Sequence, residues 1–128
     1  MVHLVLPLMI AGAMPFILTL TAKAGRFRAR DNHETRAWQA QLTGWRQRAH
    51  WAHQNAFEAF PLFAAAAIVA HVAAPGSSTA AAAAWGFVAA RVAYSACYIA
   101  DLAALRSVVW FASLGCVVAL FATALARA

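Results

Sequence analysis

Apolar residues along this chain gather in four long blocks, near 2–21, 51–74, 80–105 and 108–126, parted by one long polar stretch and two short connections. Each block is close to the ~20 residues that a helix needs to cross a bilayer. In hydrocarbon backbone polar groups must be satisfied within the protein, and a helix does this inside its own segment, which suits blocks of this length. The pattern predicts an all-α fold, an integral membrane four-helix bundle, with 1–128 forming a single four-span domain. The one long polar stretch is 22–50. Within it, Asp31-Asn32-His33-Glu34 is turn-rich and predicts a short helix starting near Thr35.

Composition agrees with the pattern. Hydrophobic residues make up 64% of the 128 positions, charged residues 11%, and mean hydropathy is +0.66. A soluble domain carries roughly a quarter charged residues. The first block is followed by Ala22-Lys23-Ala24, which has the look of a signal-peptide cleavage site. However, no basic residue precedes the block, and it exceeds the ~7–15 apolar residues of a signal peptide. A retained first helix is expected. The alanine runs 64–67 and 80–84 are either close helix–helix contacts or lipid-facing filler.

Charge adds an orientation. Lys23, Arg26, Arg28, Arg30, Arg36, Arg46 and Arg48 all fall between the first and second blocks, whereas 72–79 carries no charge. Positive loops stay cytoplasmic, so 22–50 is expected to be a basic cytoplasmic loop, with both termini outside. The net charge of +6 thus reflects topology, and no nucleic-acid partner is expected. Trp38, Trp45 and Trp51 fall where interface aromatics anchor a span. Cys97 and Cys116 lie inside apolar blocks with no metal or redox spacing. His50 and His53 lack the spacing of a zinc helix, and no metal site is expected.

The chemistry lies in polar residues within the blocks. On the second, Arg48, Asn55 and Glu58 recur at steps that share one helical face, and Pro61 follows. On the third, Arg91, Tyr94, Tyr98 and Asp101 do the same. A carboxylate at bilayer depth needs a partner, and Arg91 is the natural one for Glu58, with Asn55 satisfying what remains. Such a cluster can hold helices together or form a binding site. Arginines near one end of the bundle, Arg36, Arg46, Arg48 and Arg106, can hold an anionic ligand or anchor to headgroups.

These residues carry a family resemblance. Four spans, a basic first connection, Asn55-x-x-Glu58-x-x-Pro61 with Phe60-Pro61-Leu62-Phe63, and Arg91-x-x-Tyr94-x-x-x-Tyr98 resemble the MAPEG family. Its name denotes membrane-associated proteins in eicosanoid and glutathione metabolism. Asp31-Asn32 through Arg36-Ala37-Trp38, and Leu42-Thr43-Gly44-Trp45-Arg46, resemble its uncharacterised bacterial branch. The resemblance implies a homotrimer in a bacterial inner membrane, with glutathione as cosubstrate bound between subunits. It assigns glutathione contacts to Arg48, Asn55, Glu58, Arg91, Tyr94 and Tyr98. The basic connection adds Arg36 and Arg46, which with Arg48 and Arg91 are expected to meet its carboxylates. Arg106 becomes the catalytic candidate that stabilises the thiolate. Trp51 stands where related enzymes usually carry an arginine, and the interval from Tyr98 to Arg106 also differs from theirs.

The expected activity is that of a glutathione-dependent transferase or peroxidase acting on lipophilic electrophiles. The alternative is a non-catalytic trimeric membrane protein retaining the fold. A transporter or channel subunit is the weakest of the three, because most spans lack the ionisable residues of a conduction path.

Overall fold

The computed structural model describes residues 2–127. Every regular element among them is helical: α1 (Val2–Lys23), a 3-10 helix (Ala29–Glu34), α2 (Thr35–Ala40), α3 (Gly44–Ala73), α4 (Ser78–Ile99) and α5 (Ala103–Leu125). Four of these helices, α1, α3, α4 and α5, are long and apolar enough to cross a membrane. The bundle is the expected all-α architecture of an integral membrane protein. The short helix starts at Thr35, where the turn cluster placed it.

The helices differ from the apolar blocks at their ends. α3 begins at Gly44, ahead of the apolar block, and its 30 residues extend about 45 Å. Its first two turns are polar, so hydropathy alone does not mark them. α4 stops at Ile99. Asp101 therefore does not extend the face of Arg91, Tyr94 and Tyr98, as its spacing suggested. It occupies a left-handed conformation (φ 65°) in the turn to α5. There the amide of Leu102 donates to the carbonyl of Cys97 (2.9 Å) and that of Asp101 to Tyr98 (3.2 Å). This pair of bonds is a Schellman ending, with aspartate at the position glycine usually takes.

α3 is the central helix and packs against α1, α4 and α5, while α4 also packs along α5 and touches α1. Small residues permit this. Ala66, Ala67 and Ala70 of α3 and Ala80 and Ala84 of α4 are buried in the largest core cluster, around Phe63, Phe87 and Leu120. Ala65 and Ala82 face outward, so each alanine run splits between packing and exterior. Phe63 and Phe87 stack in parallel, 3.9 Å between ring centres. Pro7 and Pro15 of α1 are also fully buried. The exterior is apolar, with Met9, Phe16, Leu20, Val72, Phe111 and Leu125 exposed as lipid contacts require.

Candidate functional site

α3 and α4 place their polar residues against each other through an amide, not through a direct ion pair. Arg91 is buried, and its Nη2 donates to Asn55 Oδ1 at 2.7 Å. Asn55 Nδ2 in turn donates to Glu58 Oε2 at 3.3 Å. No Glu58–Arg91 contact within ion-pair distance exists among the described residues, which corrects the expected pairing. The physical reason is exposure. Glu58 points to the outside of the single chain, and Asn55 lies between the two side chains. The other terminal nitrogen of Arg91, Nη1, is buried without a partner among the described residues.

From Arg91 a ladder of cations and rings climbs α4. The Arg91 guanidinium lies 4.2 Å from the ring centre of Tyr94. Tyr94 meets Tyr98 edge to face at 5.6 Å. Arg106, from the first turn of α5, covers Tyr98 at 4.3 Å. The two arginine contacts each set a cation over a negative ring face, an attraction that strengthens away from water. The ladder brings Arg91, Tyr94, Tyr98 and Arg106 together in one chain, and Asn55 and Glu58 join at its lower end.

Two cavities flank this ladder. A polar one of about 330 Å³ is lined by Trp51, Gln54, Asn55, Glu58 and Tyr98. A mostly apolar one of about 200 Å³ includes Leu62, Phe87, Arg91, Trp110 and Leu114 in its wall. Asn55 and Glu58 line both.

The remaining arginines are placed elsewhere. Arg46 Nη1 donates to the carbonyls of Ala22 (3.1 Å) and Ala24 (2.5 Å), just where α1 runs out of helical donors. Arg48 Nε donates to the carbonyl of Ile99 at 3.0 Å, and its Nη1 lies 3.9 Å from Asp101. Both tie down helix C-termini, where a cation also meets the negative end of the helix dipole. Arg36 is exposed and lines a separate cavity of about 560 Å³ on the other side of Trp51 and Gln54, with Gln39, Gln47, His50 and His53. None of the three lines the polar cavity beside Tyr98.

Residues the spacing did not single out also build the site. Gln54 lies one turn before Glu58 and lines the polar cavity, as does Trp51, whose ring centre is 6.3 Å from that of Tyr98. Trp51 therefore forms a cavity wall in addition to any anchoring role. The four-residue step from Gln54 to Glu58 was the available signal. Trp110 and Ser113 of α5 line the apolar cavity, and nothing in the sequence distinguishes them from residues facing lipid.

A family model for MAPEG proteins matches residues 3–126. The chain belongs to the MAPEG family and is an integral membrane protein. Searches of curated proteins and of solved structures return no match.

Proposed function

We propose that the chain is a glutathione-dependent transferase or peroxidase that acts on lipophilic electrophiles at the membrane. The observation that carries the reading is the wall shared by two unlike cavities. Asn55 and Glu58 line both a polar cavity and an apolar one, and Tyr98 lines the polar side. A water-soluble thiol and a membrane-dissolved electrophile need two such compartments side by side.

The donor set fits glutathione. The Glu58 carboxylate can accept from an ammonium group. The amides of Gln54 and Asn55, the indole N–H of Trp51 and the hydroxyl of Tyr98 can serve peptide and carboxylate oxygens. The cavity of a single chain contains no arginine, whereas Arg36 is exposed and close by. In a homotrimer, Arg36 of one subunit can serve the carboxylates held by the next. Glutathione supplies the thiol. A free thiol has a pKa near ~8.5, and an adjacent cation favours the thiolate. Arg106, held against Tyr98, is the cation for that role. Arg91 and Tyr94 fix Tyr98 from below.

The test is glutathione binding by calorimetry, together with turnover of a generic lipophilic electrophile, for wild type, Gln54→Ala and Arg106→Ala. Gln54→Ala is expected to raise the Michaelis constant for glutathione. Arg106→Ala is expected to lower turnover on the order of 10²-fold at saturating glutathione. A second reading, a non-catalytic membrane protein of the same fold, is favoured by Trp51, which fills the position where related enzymes usually carry an arginine. Absence of glutathione binding to wild-type protein in native lipid would select that reading.

The proposed orientation puts the polar cavity on the cytoplasmic side of a bacterial inner membrane. The basic residues of the α1–α3 connection support it. Reporter fusions after Arg30 and after Gly76 are expected to lie on opposite sides, with Arg30 inside. An outside signal at Arg30 would reverse the orientation.

A further inference from the structure

Three arginines of the α1–α3 connection are left unused by the site described above. Arg26, Arg28 and Arg30 are exposed, and together with Asp31, Trp38, Gln41 and Leu42 they line a cleft of about 330 Å³. Asp31 folds the segment. Its carboxylate accepts from the Arg28 amide at 2.8 Å and lies 3.8 Å from Arg30 Nε, while its own amide donates to the Arg28 carbonyl. The guanidinium groups of Arg26 and Arg28 have no carboxylate partner among the described residues. The cleft therefore keeps an excess of positive charge even after Asp31 is counted.

Its floor is apolar and fixed. Leu42 is buried in a cluster with Ala22 and Ala49, and Trp38 packs against that cluster. Phe27 meets Trp38 edge to face at 5.0 Å and carries Lys23 Nζ on its ring at 4.3 Å. Arg26, the first residue to line the cleft, follows shortly after α1 ends at Lys23, and aromatic residues such as Trp38 settle at headgroup depth. Along α1 just before it, Leu20 and Ile17 are exposed, 66% and 59%, on a helix long and apolar enough to span a membrane.

We infer that this cleft binds the headgroup of an anionic phospholipid, with the phosphodiester between Arg26, Arg28 and Arg30 and the acyl chains beside α1. A soluble phosphate shares the charge but gains nothing from Leu20 and Ile17, so the lipid is the occupant the surface favours. Headgroup-level arginines each attract anionic lipid, an effect that salt screens. The inference does not depend on glutathione chemistry.

The full-length protein, reconstituted in phosphatidylcholine containing a minor fraction of phosphatidylglycerol, tests this. The readout is the phosphatidylglycerol retained by the purified protein, measured by native mass spectrometry. Wild type is expected to retain it above its bulk fraction. Arg26→Gln, at an exposed side chain with no ion-pair partner, is expected to weaken retention about fivefold. The triple variant R26Q/R28Q/R30Q is expected to abolish the enrichment, and Arg127→Gln, at the other end of the chain, to leave it intact. Equal retention by wild type and Arg26→Gln would overturn the inference, and so would an equal loss in Arg127→Gln. Displacement by deacylated glycerophosphoglycerol as effectively as by the intact lipid would overturn it in favour of a soluble anion.

Discussion

At the scale of single residues, the polar centre of the bundle depends on Asn55. Its carbonyl oxygen is the hydrogen-bond acceptor of the buried Arg91 guanidinium, and its amide is the donor to Glu58. Asn55→Ala leaves a buried cation without its acceptor, and hydrogen bonds to charged groups contribute about 1.5–3 kcal/mol. Glu58→Gln keeps an acceptor oxygen for Asn55 and leaves Arg91 untouched. Asn55→Ala is therefore expected to lower stability by about 2 kcal/mol or more, and Glu58→Gln by less than about 1 kcal/mol. Thermal unfolding in one detergent would check this, and the reverse order would refute the relay. The sequence showed that these three residues share a depth and a side. It could not show which of them touch, because helical spacing fixes direction and not distance. Glu58 and Arg91 had complementary charges, yet the shorter Asn55 fills the gap between their helices.

At the scale of elements, α1, α3, α4 and α5 were legible because each is an apolar run of spanning length bounded by polar residues. Their ends were less so. Hydropathy marks immersion, not helicity, and the early turns of α3 and the Schellman turn at Asp101 escape it for that reason. The partners of Arg46 and Arg48 also lie at such ends, on carbonyls that no side-chain pattern reveals. Helix contacts were legible only as alanine content. The structure shows that specific small residues set the spacing. A Cβ added to Gly86 of α4 would lie 3.1 Å from Cys116 Sγ on α5. Overpacking of this kind costs about 1–3 kcal/mol. Gly86→Ala is expected to fall near the lower end of that range, since one sulfur must give way. Cys116→Ala removes that sulfur, so the double variant G86A/C116A is expected to regain most of the loss. Additive losses in a double-mutant cycle would show that the two positions do not constrain each other.

At the scale of the whole molecule, the single bundle presents a surface unsuited to lipid. Trp51, Gln54, Glu58 and Leu62 of α3 recur at steps of three or four, and all are exposed. Their spacing makes them one stripe down the outside of the helix. A carboxylate facing hydrocarbon is costly, and residues of this kind face a bundle interior or a water-filled cavity. Trp51, Gln54 and Glu58 of this stripe also line the polar cavity and Leu62 the apolar one, so whatever covers the stripe completes the site. We propose that a neighbouring copy covers it, in the homotrimer that the family resemblance implies. Native mass spectrometry is then expected to give three times the 13.6 kDa of the chain. A cysteine at Leu62, within a background lacking Cys97 and Cys116, is expected to lose reactivity toward a lipid-soluble maleimide in the assembly. Its reactivity is expected to return when the assembly is dissociated in harsher detergent. A monomeric mass in native lipid, with Leu62→Cys fully reactive, would leave Glu58 facing lipid and remove the basis for a shared site.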